Sequence, residues 1–410
     1  MLLTHLSLTN YRNFSRLDLD VPGGPVLIVG KNAQGKTSLL EAIYYLATFT
    51  SFHTKSDRQL ISFLAVNEPL VVARIVADFK HTCAVDSEAM KPVTAHHLEI
   101  RLIQEANTLN DAPRLRREIL LDGIPRKIGE TVGAFIAVLF LPQMLRIVEG
   151  APEERRRYLN LAMGQVLSRY TSDLVEYNHV LTQRNALLKQ LNERGGDLEQ
   201  LAYWDEQLAL SGGRIIHARI QTVQELEHLA SRIHNALTRS QEILRLSYQP
   251  VYDALPDQPT QYSLPFDGTT DRSWVPVEKI QQSFLDSLNN LRKEEIARGV
   301  TTIGPHRDDL RLLSNGIDLG IYGSRGQGRS AILSLKLAEV AWMKEKTGQW
   351  PILLLDEVLA ELDSDRRADL LGRLMEIEQA LLTTTDLDMF HIDFVQNVKV
   401  WNIQAGQVMV

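Results

Sequence analysis

The sequence predicts an α/β fold: a parallel, phosphate-binding sheet interrupted by a long helical insertion. Three observations predict it. Near the start, the apolar run Val26-Leu27-Ile28-Val29 leads into Gly30-Lys31-Asn32-Ala33-Gln34-Gly35-Lys36-Thr37-Ser38 and then a helical pattern. Near the end, Pro351-Ile352-Leu353-Leu354-Leu355 leads into Asp356-Glu357. Between them, from Pro152 to Arg298, apolar residues recur at three- and four-residue spacing.

Gly30 to Thr37 is a full G-x-x-x-x-G-K-[ST] match, and Leu39, Leu40, Ile43 and Leu46 continue it as a helix. A chance Gly-rich turn would lack the flanking strand and helix that a P-loop requires. Backbone N–H groups of such a loop, and the positive end of the helix it opens, point at phosphates. Gly30 and Gly35 let the chain turn without a Cβ in the way. Lys36 is expected to reach the β- and γ-phosphates, and the Thr37 hydroxyl to ligate Mg²⁺. Lys31, Asn32, Ala33, Gln34 and Ser38 complete the expected cradle for ATP.

A buried strand ending in two acids supplies the second half of that chemistry. Asp356 stands where P-loop proteins hold Mg²⁺, and Glu357 is the expected general base for an attacking water. Solvated acids at a sheet edge would look the same in isolation; the P-loop argues for the functional reading. Gly323-Ser324-Arg325-Gly326-Gln327-Gly328 precedes a helix expected over Ser330 to Lys346, a second anion-binding helix start.

The 410 residues leave room for two or three domains and a large core. The net charge of −7 does not advertise nucleic-acid binding, but a local basic surface matters more than the sum. Cys83 is the only cysteine, which excludes an internal disulfide framework or cysteine zinc site and fits a reducing, cytoplasmic setting. The opening MLLTHLSLTNYRNF is too polar for a signal peptide, and the most apolar stretch, Ala134 to Leu141, is far short of a membrane span.

In chain order, Leu2 to Leu8 and Leu17 to Val21 read as strands joined through Asn10-Tyr11-Arg12-Asn13-Phe14. Leu70 to Phe79 and His97 to Ile103 read as strands, Leu109 to Arg117 as a basic hairpin tip, and Val132 to Leu141 as a buried strand stopped by Pro142. Pro152-Glu153-Glu154 is a helix start. Leu174, Tyr177, Leu181, Leu188 and Leu191, then after Gly195-Gly196 Leu201, Leu208, Ile216, Ile220, Val223, Ala230 and Leu237, describe an antiparallel helical arm. Gln249 to Pro276, with five prolines, reads as an irregular crossover, and Val277 to Arg298 as helix. The expected organisation is 1–150 and 300–410 as two halves of one nucleotide-binding head, with 151–299 inserted.

That order of motifs resembles the ABC-type ATPase heads of SMC-like proteins, with the insertion as the helical arm, or lobe II. Ser324, Gly326 and Gln327 resemble their signature motif, Glu361-Leu362-Asp363 falls at the D-loop, and Gln143 stands at the Q-loop position beside the metal. Asn10-Tyr11-Arg12-Asn13-Phe14, Ser51-Phe52, Arg155-Arg156-Arg157, Gly304-Pro305-His306-Arg307-Asp308-Asp309 and Thr383-Thr384-Thr385-Asp386 together resemble the RecF family of bacterial recombination mediators, from about Leu2 to Phe390. His53, Pro142-Gln143-Met144 and Thr385, in place of a switch histidine, depart from the pattern.

The resemblance implies a protein that binds ATP and Mg²⁺, dimerises on ATP, and binds double-stranded DNA and double-strand/single-strand junctions. It implies action at single-strand gaps with RecO and RecR to help load RecA, with weak, DNA-stimulated hydrolysis. Ser324, Gly326 and Gln327 would contact ATP held by a second copy, and Arg12 and Asn13 would contact the adenine or phosphate of the nucleotide bound in their own chain. An ordinary turn would also account for Arg12 and Asn13. Arg307 is expected to pair with Asp308 or Asp309, and His96-His97 to be strand residues without a metal. Arg114, Arg116, Arg117, Arg126, Lys127 and Arg155 to Arg157 are the candidate DNA-facing cations. A small-molecule P-loop kinase is the competing class; it would have no use for Ser-x-Gly-Gln.

Overall fold

The computed structural model describes residues 1–65, 68, 70–81, 94–105, 114–252 and 271–409. Contacts divide the chain into two compact units, 1–143 with 339–410, and 144–338. The second unit extends past both ends of the expected 151–299 insertion. Strands Leu244–Gln249 and Asp309–Ser314 pair within it, so the chain returns to the head only along the helix Arg325–Thr347.

The first unit holds two six-stranded sheets. One runs, in spatial order, Gln407–Met409, Lys399–Gln404, Gly24–Val29, Gln379–Thr384, Ile352–Asp356, Ala137–Phe140. Its central pairings are parallel: Ile28 lies beside Thr383, Asp356 beside Thr383, and Leu355 beside Phe140. All five residues of Ile352–Asp356 and all six of Gln379–Thr384 are buried, as a parallel sheet covered on both faces demands. The helix Lys36–Thr48 is buried through nearly all its length. Parallel alignment brings Val29, Asp356 and Thr384 to the same carboxyl edge, the place where such sheets bind ligands.

The other sheet is antiparallel, in the order Phe14–Asp20, Leu2–Tyr11, Leu70–His81, Thr94–Glu105, Arg114–Leu121, Ile124–Pro125. Arg12 and Asn13 form the tight turn of its first hairpin, Arg12 at a φ of 51°. Two expectations change here. Arg114 to Arg117 belong to a strand paired with Thr94–Glu105, not to a tip, with Arg114 opposite Glu105 and Arg117 opposite Leu102; residues 109–113 lie outside the described residues. The run Val132 to Leu141 forms a strand only over Ala137–Phe140, since Gly133 turns the chain at a φ of 93°. Cys83 and most of the proline-rich crossover, residues 253–270, also lie outside the described residues. His96 and His97 sit in a strand and pair with Asp122 and Asp78.

The second unit is built on helices Pro152–Val166, Tyr170–Arg194, Gln200–Leu237 and Val277–Arg298, with a three-stranded sheet Ile317–Asp318, Asp309–Ser314, Leu244–Gln249. Pro152 occupies the first helical turn with Glu153 and Glu154. Gly195 and Gly196, at φ of 71° and 148°, turn the arm back on itself. Midway along Gln200–Leu237, a Cβ on Gly212 would meet Phe284 Cε1 at 2.7 Å and one on Gly213 would meet Gln281 Cγ at 2.4 Å. Two glycines in a helix interior cost about 1 kcal/mol each against alanine; here they admit the helix Val277–Arg298 at close range.

Buried charge joins the arm helices. Arg184 lies 2.7 Å from Asp205 and 2.7 Å from Glu295, all three with side chains 0% exposed. Its second guanidinium nitrogen donates to Thr301 Oγ1, and Arg292 pairs with the other Asp205 oxygen. A second centre forms around Gly304 to Asp309. Arg219, 2% exposed, donates to the Pro305 carbonyl, Asn160 Oδ1 and Tyr170 Oη. Burial opposes its charge, and Tyr170, Tyr248 and Asp308 more than offset that, holding the guanidinium above its usual range. Asp308 accepts from Tyr248 Oη and the Val251 N–H, and Asp309 chelates Arg155. Arg307 is exposed, and its neighbouring acids are engaged by Arg155, Arg219 and Arg311. The expected pairing of Arg307 therefore yields to these three buried or half-buried arginines. Arg155, equally, is a buried structural cation and not a DNA-facing one.

Arg184→Met should lower stability by about 3–5 kcal/mol, the cost of leaving Asp205 and Glu295 buried without their shared partner; differential scanning calorimetry checks it. His306 gives a pH signature. Burial, with Arg307, Arg156 and Arg184 nearby, pushes its pKa down to about 4. The unfolded chain therefore takes up the proton first as pH falls. Stability is complete above pH 6.5 and declines by about 3 kcal/mol between pH 6.5 and 4. Denaturant titrations at stepped pH should show this decline in the wild type and a flatter curve in His306→Gln.

Candidate functional site

The loop between Val29 and Lys36 is held by its surroundings as well as by its own glycines. A Cβ on Gly30 would fall 2.5 Å from the Ile403 carbonyl oxygen, so the neighbouring strand requires glycine there. Gly35 caps the helix at a φ of 114°, with Asn13 Nδ2 2.5 Å from where its Cβ would be. Gln34 accepts from the Ala405 N–H at 2.7 Å through its side chain and from the Gly406 N–H at 3.1 Å through its carbonyl. Asn13 donates to that same carbonyl at 3.1 Å. Lys31, Asn32 and Ala33 are exposed, while Thr37 and Ser38 sit half-buried in the first turn of the helix.

Lys36 and Thr37 face the acid-ending strand. Thr37 Oγ1 donates to the Asp356 carboxylate, 2.9 Å from Oδ2, and Thr383 Oγ1 donates to Oδ1 at 2.7 Å. The same Thr383 oxygen accepts from the Glu357 N–H at 3.0 Å, which seats Glu357 in a left-handed turn, φ 53°. The Lys36 ammonium, 4% exposed, donates to the carbonyls of Gly30 at 2.7 Å and Lys31 at 3.1 Å and lies 3.2 Å from Glu357 Oε1. Glu357 is 41% exposed, so water screens that pair and the two carbonyls do most to hold the ammonium.

Arg12, Asn13, Asn32, Ala33, Gly35, Lys36, Thr37, Ser38, Gln143, Asp356 and Glu357 all line one cleft of about 700 Å³. Gln143 is exposed, in the short turn Pro142–Leu145. Thr37 and Asp356 offer hard oxygen donors in direct contact, the set that suits Mg²⁺, which binds few protein ligands and keeps water. Among the described residues no group of three His, Cys, Asp or Glu side chains gathers into a metal cage.

Arg12 is committed to the protein: Nε and one terminal nitrogen each donate at 2.8 Å to Glu41, itself 1% exposed, and the other donates to the Gln59 carbonyl. It shapes the cleft wall by gripping the P-loop helix. Sequence reasoning passed over Gln59, Ile61 and Phe63 as lining residues, and treated His53 only as a departure from the family pattern. Phe63, 71% exposed, is an aromatic of the cleft lining within the largely apolar stretch Ile61-Ser62-Phe63-Leu64-Ala65.

The second Gly-rich motif is helical earlier than expected. The helix begins at Arg325, not Ser330, so Gly326, Gln327 and Gly328 lie in its first turn. Ser324 and Gln327 form a reciprocal capping box: the Gln327 N–H donates to Ser324 Oγ at 3.2 Å, and the Ser324 N–H donates to Gln327 Oε1 at 3.0 Å. That box supplies the start signal that glycine spacing concealed. Gly328 is demanded by packing, since a Cβ would lie 2.8 Å from Leu145 Cδ1. At Glu361-Leu362-Asp363, Asp363 caps the next helix by accepting from the Arg366 N–H at 2.9 Å.

Of the basic candidates, Arg117 pairs with Asp57 and Arg116 with Glu118, leaving Arg114 exposed at the strand end. Arg101, Arg117, Arg126 and Lys127 line a groove of about 690 Å³ beside the hairpin Arg114–Leu121 to Ile124–Pro125.

Residues 2–408 match the model of the RecF/RecN/SMC N-terminal domain. The chain is 39% identical to the DNA replication and repair protein RecF of Chloroflexus aurantiacus, and 37% identical to that of Roseiflexus castenholzii; each alignment covers 100% of this chain and 99% of the relative. A solved structure described as the recombination mediator protein RecF with ATP, in the RecFOR pathway, superposes with a TM-score of 0.79 at 29% identity, over 99% of this chain and 96% of that one. The match runs the full length and takes in both the P-loop head and the helical arm: this chain belongs to the RecF family of DNA replication and repair proteins, with the ATPase-head fold shared with SMC proteins.

Proposed function

We propose that this protein is an ATP-gated, DNA-binding clamp in which nucleotide drives two copies together. The observation that carries the reading is the convergence of Lys36, Thr37, Asp356 and Glu357, from two distant stretches of sequence, on one cleft at the carboxyl edge of the sheet. The solved ATP complex of a RecF relative and full-length kinship to DNA replication and repair proteins support it.

In this reading the N–H groups of Gly30 to Thr37 receive the β- and γ-phosphates, and Lys36 exchanges the Gly30 and Lys31 carbonyls for phosphate oxygens. Thr37 and Asp356, near Gln143, would hold Mg²⁺, which would supply charge neutralisation for those oxygens. Glu357, relieved of Lys36, accepts a proton from the attacking water; the new bond forms to the γ-phosphorus as the bond to the β-γ bridging oxygen breaks. Ser324, Gly326 and Gln327 of a second copy contact the γ-phosphate, so ATP glues the dimer and slow, DNA-stimulated hydrolysis releases it.

The groove lined by Arg126 and Lys127, with Arg101 and Arg117 held on its walls by Glu99 and Asp57 and with Glu118 beside them, offers a phosphate track for double-stranded DNA and double-strand/single-strand junctions. Action at gaps with RecO and RecR, and through them on RecA, in the cytoplasm, completes the proposal. Among the described residues no helix is long and apolar enough to cross a membrane. A small-molecule kinase is set aside by the family match over residues 2–408.

Light scattering with MgATP should show the wild-type mass doubling, while Lys36→Met and Ser324→Arg remain monomeric; a monomeric wild type with ATP bound sinks the clamp. Lys36→Met should also weaken nucleotide binding at least tenfold in equilibrium titration, whereas Ser324→Arg should not. Glu357→Gln should retain ATP-driven dimerisation while lowering hydrolysis 10²–10⁴-fold, the usual worth of a positioned base; phosphate release measures it.

A further inference from the structure

Gln327 has a partner that the signature chemistry does not explain. Its Nε2 lies 3.4 Å from Oε1 of Glu242, a residue on the turn between the arm helix Gln200–Leu237 and the strand Leu244–Gln249. The Glu242 carboxyl is only 19% exposed. Its other oxygen accepts from Ser314 Oγ at 3.0 Å and faces His234 Nε2 at 3.3 Å. His234, wholly buried in the last turns of the arm helix, is 3.0 Å from Ser334 Oγ through Nδ1. Ser334 gives its own proton to the Ser330 carbonyl at 2.8 Å, and Ser330 donates to Gly326 at 2.9 Å. Ser334 Oγ, with its own proton given to Ser330, accepts from His234 Nδ1–H, and His234 Nε2 faces Glu242.

These contacts close a loop of hydrogen bonds from the end of the arm helix, through Glu242, to the first turn of the signature helix and back. They fix the Gln327 amide. Only its Nε2 can face a carboxylate, so its Oε1 must face Ser324 and accept from the Ser324 N–H. The Ser324 hydroxyl accepts from the Gln327 N–H and keeps its own proton free to donate to an incoming anion. Removing Glu242 would let the amide turn over, and the capping box would lose its one oriented half.

We infer that Glu242 is a positioning residue for the signature motif: it sets the Gln327 amide, and through the capping box the Ser324 hydroxyl, and ties both to the end of the arm helix at His234. It touches no nucleotide. The inference rests on the proposed cross-subunit role of Ser324 and Gln327 for its functional consequence, but its structural core does not.

Two measurements separate them, on the full chain with Glu242→Ala, Gln327→Ala, the double variant and Glu242→Gln. The first is hydrogen exchange without nucleotide. Glu242→Ala should speed exchange at Gln327 and Gly328 at least tenfold while the arm core stays protected; Glu242→Gln, which fills the same space and keeps an acceptor for Gln327, should restore protection. Unchanged exchange at those amides overturns the inference, whatever ATP does. The second is dimerisation in MgATP, against nucleotide affinity of the dilute monomer. Glu242→Ala should weaken dimerisation about tenfold with monomer affinity within twofold, and the double variant should be no worse than Gln327→Ala alone. Additive losses would overturn a route through Gln327. Faster exchange with intact dimerisation would keep the positioning role and remove the cross-subunit reading instead.

Discussion

The Asp356 carboxylate is the point on which the head depends. It ends a strand that is buried at all five positions, and it accepts from Thr37 of the P-loop helix and Thr383 of the adjacent strand. Three segments, one of them 319 residues from Asp356 and another 27, are thereby locked at one edge of one parallel sheet. Without those two hydroxyls a largely buried carboxylate would carry a desolvation cost of several kcal/mol. With them it becomes a preorganised oxygen donor. Thr383 does a second job through the same oxygen, receiving the Glu357 N–H and so aiming the neighbouring acid. The left-handed backbone at Glu357 is a local strain, held by the Thr383 hydroxyl and turning the side chain out of the sheet into the cleft.

The arm unit uses buried charge in a different way. Arg184 and Arg219 are each nearly or wholly buried. Replacing such networks with apolar groups often stabilises a protein, so their presence is better understood as geometric specification. Arg184 gathers Asp205, Glu295 and Thr301, which fixes how three helices meet. Arg219 gathers Pro305, Tyr170 and Asn160, which fixes where the Gly304 to Asp309 segment lies. The word Gly-Pro-His-Arg-Asp-Asp is in this structure a packing device. Gly304 clears Tyr177, Asp308 and Asp309 anchor arginines and tyrosines, and His306 stays neutral against Tyr177.

The Ser324 to Gly328 segment is ordered by its own side chains. Its serine and glutamine first satisfy each other as a helix cap, which orders the turn before any ligand arrives. The glutamine amide then answers to Glu242, on the arm side. A helix start that is already organised loses less entropy when an anion binds, which is the advantage preorganisation confers.

Much of this was legible in the chain alone. The P-loop, the acid-ending strand, the arm helices with their Gly195-Gly196 turn, and the helix Val277–Arg298 follow from spacing, because a phosphate cradle and an amphipathic helix are local patterns written in neighbouring residues. Convergence of Lys36, Thr37, Gln143, Asp356 and Glu357 could be expected from the order of motifs. Tertiary structure alone decided the fate of the arginines. Arg12, Arg117 and Arg155 look like free cations in sequence, and each is held by an acid 29, 60 and 154 residues away. It also decided the length of the strand before Pro142, the division of the chain at 338, and the partnership of Gln327 with Glu242. The reason is common to all of them. Sequence displays which groups can donate, accept or carry charge, but which partner satisfies a buried one is set by distances that only the folded chain defines.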